Sequence, residues 1–358
     1  MLSRLILYYT KQSEVLNLKL SILDYVPLFE SYTPQEALNH SIELAQLAEK
    51  LGYVRYWVAE HHQVPSVVSS APEIVMTMLL AHTRSIHIGS GGVMLPHYSA
   101  YKVAEQFKIM EVKHPNRIDL GIGRSPSFKN VNNALNEFKT HKPELSQQID
   151  DLNKYFTNNT TYSHRFKSLE ATPYTEHHPE MFILGMSEQS AELAAKKRLP
   201  FVIAYIGQSY TNLIHIIQHY KSRFLEHHGY SHSPYIILAT FVVTAENEST
   251  INKLLTALNL WLIRINYLKQ PKVYPSIESA QQYQYSVRDL EKIKKNKRRI
   301  VSGLPHEVAQ QLIQLQNDFE ADEIMILPNV YGQDHRTKLN ELVDHACLNN
   351  LEIFYKFS

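Results

Sequence analysis

The sequence has 358 residues, with 44% hydrophobic and 20% charged side chains and a formal net charge of +1. A chain of that balance folds around a core rather than staying disordered, and no global field draws it to nucleic acid or an anionic membrane. One cysteine, Cys347, excludes a disulfide framework and a cysteine-only metal site, and it suits a reducing, cytoplasmic setting.

Residues 1–17 open with MLSRLILYY, a short apolar stretch without a small-residue cleavage site, and read as an extension rather than a signal peptide. No later apolar run approaches the roughly 18 residues of a membrane span. Residues 18–350 are expected to form one domain. LKLSILDYV (18–26) reads as a buried strand. Thr33, Pro34 and Glu36 then predict a capping box with proline in the first turn, and Gly52 closes the helix. The second strand is YVRYWVAE (53–60), and Ser70 with Glu73 predicts another capping box before the helix EIVMTMLLAH. The third strand is IHIGSGGVML (86–95), Ser99 caps the helix that follows, and the fourth strand is RIDLGIG (117–123). These strands begin 31 to 35 residues apart, the size of a βαβ repeat.

The polar stretch 125–180 interrupts the repeat and reads as an insertion with one helix over 144–156. Strands at 181–185 and 200–205, a helix over 211–228, a strand at 234–245 and a helix over 248–263 resume it. A second irregular stretch, 269–299, carries the basic run EKIKKNKRR. That run reads as a solvated loop, because it lacks the interleaved aromatic residues of a nucleic-acid patch. A helix over 307–318, an eighth strand at 321–329 and a closing helix over 336–348 complete eight βα units. The fold class is therefore α/β, a single (β/α)8 TIM barrel with insertions after strands four and seven. An open doubly wound sheet is the structural alternative.

Of only 11 glycines, six (Gly89, Gly91, Gly92, Gly121, Gly123 and Gly185) fall in or just after three of these strands. Glycine concentrated in this way marks backbone that must turn freely or lie close to a ligand. The site of such a barrel sits at the C-terminal ends of its strands. That rule selects Glu60-His61-His62, Gly91-Gly92, Gly123-Arg124-Ser125 and the run from Gly185 to Ser190.

The run after strand five is a glycine followed by a helix start with Ser187 and Ser190. Its free N–H groups and partial positive charge suit a phosphate, although the same pattern also serves as a plain serine cap. Arg124, at the end of the neighbouring strand, favours the anion reading. Adjacent residues on a strand point to opposite faces, so only one of the two histidines should face the barrel centre. His61 is then the candidate acid/base residue, and His62 should turn away. One inward histidine without a cysteine cluster is poor metal-ligand stock, so no metal is expected.

The strings WVAEHH, GSGGVMLPHYSAYKVAEQF, RIDLGIGRSP, LGMSEQSAELAAK and ADEIMILP, in this order and spacing, resemble the bacterial luciferase-like monooxygenase family. The resemblance runs from about residue 18 to 329. It implies a homodimer that uses reduced FMN, supplied by a separate NAD(P)H:flavin reductase, to activate dioxygen against a small organic substrate. It implies that Arg124, Ser187 and Ser190 hold the flavin phosphate. It places Met186 and Glu188 in the same cofactor-binding turn, and the Glu188 side chain should face outward. It also implies that Gly91-Gly92 carries a non-proline cis peptide under the flavin ring, that Gly123 lies beside the ring, and that His61 matches a histidine needed for chemistry in luciferases.

Where many members have glycine before the sixth strand, this chain has Lys197-Arg198-Leu199. Dimer contacts are expected through the helices after strands two and three, which carry Met76, Leu79, Leu80 and Met110. Three rival readings are a deazaflavin-dependent hydride-transfer enzyme, a non-catalytic flavin-binding protein, and a metal-dependent hydrolase using Glu60 and His61.

Overall fold

The computed structural model describes residues 18–137, 139–161, 164–207, 209–265 and 270–357, with side chains to residue 348. The extension expected over 1–17, and Lys269 at the start of the second irregular stretch, lie outside the described residues. Nine strands form one sheet: β1 (Leu20–Asp24), β2 (Arg55–Val58), β3 (His87–Met94), β4 (Ile118–Gly123), β5 (Glu180–Leu184), β6 (Phe201–Ala204), β7 (Ile236–Val243), β8 (Ile300–Ser302) and β9 (Glu323–Leu327). Strands β1 to β7 pair in parallel in chain order, and β9 pairs with both β7 and β1, so the sheet closes. The result is the expected eight-stranded barrel.

The ninth strand, β8, corrects the sequence reading, which ran loop up to residue 299 and then helix. β8 pairs with Phe241–Val243, the upper end of β7. Phe241 already pairs with Leu327 of β9, so β8 takes the other flank of β7, which β6 leaves free beyond Ala239. Three residues are too few to show a period-two pattern.

Helices α1 (Pro34–Lys50), α2 (Pro72–His82) and α3 (Ala100–Lys113) follow the first three strands. The first insertion holds α4 (Lys129–Leu135) and α5 (Leu145–Phe156), and α6 (Glu188–Lys196), α7 (Tyr210–His228) and α8 (Glu248–Arg264) resume the repeat. The second insertion holds α9 (Ile277–Gln282) and α10 (Val287–Asn296), and α11 (Pro305–Phe319) and α12 (Gln333–Phe357) close the chain. Among the described residues no helix is long and apolar enough to cross a membrane.

The capping box of α1 forms in both directions: Thr33 Oγ1 accepts from Glu36 N at 3.2 Å, and the Glu36 carboxylate accepts from Thr33 N at 2.7 Å. The second expected box does not form. Pro72 takes the first helical position of α2, so Ala71 is the cap and the Ser70 side chain is left outside. Ser99 stands at the cap position of α3 without a side-chain cap bond. The basic run is helix rather than loop, because Ser286 and Asp289 cap α10 in both directions. After α6, Arg198 in the Lys197–Leu199 stretch takes the left-handed conformation (φ 56°).

Inside the lower barrel, Arg55, Asp119 and Glu323 project from alternate strands β2, β4 and β9. Arg55 Nη1 donates to Asp119 Oδ2 at 2.7 Å and Nε to Glu323 Oε1 at 3.0 Å. Trp57 Nε1 donates to the same Asp119 oxygen at 2.8 Å, and Tyr235 OH donates to Glu323 Oε2 at 3.0 Å. On α3, the buried Lys108 ammonium donates to the carbonyl of Ala171 and to Asn158 Oδ1, both at 2.6 Å. These bonds pin the polar first insertion to the barrel wall.

The four residues expected at a dimer face are not on one. Met76, Leu79, Leu80 and Met110 are at most 4% exposed and pack in the chain's own core. Helix α2 is apolar on nearly all sides, so the sequence did not separate its two faces. The outer positions are Ile74 and Met78 on α2 and Ile109 and Val112 on α3, all exposed.

Buried His40 on α1 gives a pH prediction. Burial, and then the positive charge of Arg336, push its pKa down from 6.5 to about 3. The unfolded chain binds that proton below about pH 6.5 and the folded chain does not, so stability should fall as pH drops through that window. His40→Gln should remove this component. Urea titrations should show the wild type losing about 1–2 kcal/mol more than the variant between pH 7 and pH 5. Parallel losses would exclude His40 as the cause.

Candidate active site

A cavity of about 820 Å³ opens at the C-terminal ends of the strands, and every residue selected from the sequence except Gln189, the buried Ser190 and the outward-facing Glu188 lines it. Its floor is mainly apolar, with Leu23, Leu184, Val202, Ala239 and Met325. The sequence builds this shape with glycine where backbones must touch. A Cβ on Gly121 would lie 2.1 Å from the Ser90 carbonyl oxygen, and one on Gly92 would lie 2.7 Å from that of Gly121. The Gly91–Gly92 peptide bond is cis, and the β3–β4 register shifts between Ser90 and Val93. At Gly123 the nearest atoms to such a Cβ lie at 3.7 Å, so the space beside it is open.

At one end of the cavity β5 turns sharply into α6. A Cβ on Gly185 would sit 2.2 Å from the Ser190 Cβ, so only glycine lets the helix start this close to the strand. Ser187 is the cap residue, and its Oγ accepts from Ser190 N at 3.3 Å. Arg124 reaches across from β4: Nη2 donates to Ser187 Oγ at 2.6 Å and Nη1 to Gln189 Oε1 at 3.4 Å. The first-turn N–H groups of Glu188 and Gln189 have no intrahelical acceptor. The Glu188 carboxylate turns to His215 on α7, at 3.1 Å, away from this point. Cationic, hydroxyl and N–H donors therefore converge without an opposing carboxylate. Gln189 fell within the run selected from the sequence but was given no role there, since a glutamine in a first helical turn carries no signal of its own.

The other end holds the two histidines. β2 stops at Val58, so the strand pleat does not govern residues 61 and 62, and both rings line the cavity. His62 turning away is thus a wrong expectation, caused by extending the strand two residues too far. The His61 ring packs 4.6 Å from that of Tyr25. Its Nδ1 is buried without a partner among the described residues. Burial, helped by the neighbouring His62, lowers its pKa from 6.5 to about 4, so it is neutral at pH 7.

His62 Nε2 lies 2.7 Å from Glu60 Oε1. Glu60 also accepts from Met94 N at 2.7 Å and from the Tyr98 hydroxyl at 2.5 Å. The sequence reading selected Glu60 but gave it a role only in a metal-site rival, and it did not include Tyr98. Among the described residues no group of three or more His, Cys, Asp or Glu side chains is placed to hold a metal ion.

The start of the first insertion, Ser125 to Phe128, forms part of the cavity wall, and Ile265, the residue that ends α8, contributes beside it. The first wall is fastened by His97, whose Nε2 donates to the Ser125 carbonyl at 3.1 Å while Nδ1 accepts from Asn136 Nδ2 at 2.8 Å. The arrangement can grip an anion at one end, enclose an apolar or aromatic body in the middle, and present imidazoles at the other end.

Comparison with known proteins finds relatives over most of the chain. The model of the luciferase-like monooxygenase family matches residues 20–319. The uncharacterized protein YceB of Bacillus subtilis (strain 168) is 38% identical over 316 residues, covering 87% of this chain and 94% of its own. N-acetyl-S-alkylcysteine monooxygenase of the same organism is 32% identical, covering 92% and 98%. The crystal structure of apo-MsnO8 matches with a TM-score of 0.80 at 30% identity, covering 92% and 98%. The chain belongs to the luciferase-like monooxygenase family.

Proposed function

We propose that the chain is a two-component, FMN-dependent monooxygenase of the cytoplasm, acting on a small organic substrate. The observation that carries this reading is the Arg124–Ser187 contact of 2.6 Å beside a mainly apolar cavity. The donor set fits a phosphate, and the open space at Gly123 with the apolar floor fits a flat aromatic body. Arg124, Ser187 and the α6 N-terminus would hold the phosphate, with Ser190 and Gly185 shaping that turn. Reduced FMN, made by a separate NAD(P)H:flavin reductase, would supply two electrons; one oxygen atom of dioxygen enters the substrate and the other leaves as water.

The protein's own part is to bind, orient and exclude water. Neutral His61 would offer the ligand a hydrogen-bonding imidazole. Arg124 is the one Lys or Arg among the described lining residues, and the phosphate would occupy it. The substrate is therefore small and largely apolar. Because one relative is named for N-acetyl-S-alkylcysteine, S-alkyl thioethers are the first panel to try.

Anaerobic titration tests the reading against its rivals. Reduced FMN should bind with one equivalent per chain, in preference to a reduced deazaflavin, and air should then oxygenate a substrate from the panel only when flavin is present. Tighter binding of the deazaflavin, or no binding of either, would overturn it. We also propose a homodimer joined through the outer face of α2 and α3, because grouped apolar side chains need a second cover. Light scattering at micromolar concentration should give a dimer, and Ile109→Asp with Val112→Asp should give a monomer. A wild-type monomer would exclude this assembly.

A further inference from the structure

Glu60 is a buried carboxylate with three donors and no lysine or arginine. Its side chain is 1% exposed, and its ion-pair partner among the described residues is His62, at 2.7 Å. The carboxylate is an acceptor only, so Nε2 of His62 carries the hydrogen of that bond. The Tyr98 hydroxyl donates to the same Glu60 oxygen at 2.5 Å and lies 3.3 Å from His62 Nε2. All the hydrogen bonds of His62 thus fall on one nitrogen. Its Nδ1 has no protein partner among the described residues, while the ring lines the cavity and is 17% exposed.

A carboxylate behind an imidazole holds its tautomer and stabilises the imidazolium formed when the opposite nitrogen takes a proton. The other titratable groups facing His62 are His61 and Glu73 on α2. Burial holds Glu73 above the usual carboxylate range. His61 is kept neutral in its aromatic nest and has no carboxylate behind it.

We propose that His62 is the residue that takes up and returns a proton in this cavity, with Glu60 and Tyr98 as positioning residues that fix its Nε2–H tautomer. The proposal rests on the flavin reading above. The proton passes from an O–H or N–H of the bound ligand to His62 Nδ1, Nε2–H stays on Glu60, and the same proton returns to an oxygen of the departing product. No group is oxidised or reduced in this transfer.

Two measurements test it. In the ligand-free protein labelled with ¹⁵N-histidine, long-range ¹H–¹⁵N spectra at pH 7.5 should show His62 as the Nε2–H tautomer, assigned by the signal lost in His62→Asn. The Nδ1–H tautomer would overturn the proposal. With reduced FMN bound, stopped-flow mixing with dioxygen between pH 6 and pH 9 should give a reoxidation rate with one inflection. His62→Asn should lower the rate about 100-fold at pH 7 and abolish the inflection. Imidazole should restore part of both, and the affinity for reduced FMN should change less than about threefold. Tyr98→Phe, which removes only a hydroxyl, should move the inflection. His61→Ala should keep it. A wild-type rate without an inflection, or one that survives in His62→Asn, overturns the assignment. If the wild type takes up no reduced FMN, the flavin reading falls, and the tautomer still judges this proposal.

Discussion

Replacing Arg55 with Met should cost the folded chain about 3–5 kcal/mol, the usual loss when one partner of a buried ion pair is removed. Asp119 and Glu323 are both fully buried, and Arg55 bonds each of them directly. Methionine fills much of the volume but leaves two carboxylates facing each other across the barrel with no counter-charge. Trp57, His87 and Tyr235 would still donate to them, so the loss should fall short of full desolvation of both. The Arg55 guanidinium also stacks 4.8 Å from the Phe182 ring, which adds lost packing. Arg55→Lys should recover part of the loss, because an ammonium keeps the charge without the planar fork. Chemical unfolding measures this directly, and a loss under about 1 kcal/mol would mean that the cluster holds little of the fold. Flavin affinity should be nearly unchanged in any variant that folds, because Arg55 lies at the far end of the barrel from the cavity.

Arg124→Ala should weaken FMN binding about 10- to 150-fold, the equivalent of roughly 1.5–3 kcal/mol for a charge-assisted hydrogen bond. Riboflavin, which lacks the phosphate, should bind the variant almost as it binds the wild type. The contrast separates loss of an anion contact from general damage to the cavity. Ser187→Ala should have a smaller effect on FMN and should also loosen the α6 start, since the same hydroxyl caps that helix. Salt should reduce the FMN preference of the wild type, because Arg124 is exposed. Equal weakening of both flavins by Arg124→Ala would remove the phosphate assignment.

Much of the barrel was legible in the sequence because each βα unit carries local signals: buried apolar strands, the Thr33 capping box and helical spacing in α1. The anion-binding end was legible for a related reason. Arg124 directly follows Gly123 and Ser187 stands two residues after Gly185, both at strand ends marked by glycine, and neighbouring strands bring them together. The histidine end was only half legible. Glu60 meets Tyr98 across 38 residues, and His62 faces the cavity because the strand ends at Val58, which periodicity does not show. The Arg55–Glu323 bond spans 268 residues and follows from barrel closure alone. The dimer-face residues failed because an all-round apolar helix such as α2 does not declare which side is inward.

The claim on which the functional account turns is that a phosphate sits between Arg124 and Ser187. A crystal structure of the chain with FMN measures it most directly. The account predicts phosphate oxygens within about 2.7–3.2 Å of the Arg124 guanidinium and the Ser187 hydroxyl, with the ring system extending into the cavity towards Gly91-Gly92 and His61. A phosphate seated elsewhere, or a flavin bound with Arg124 turned to solvent, would contradict it.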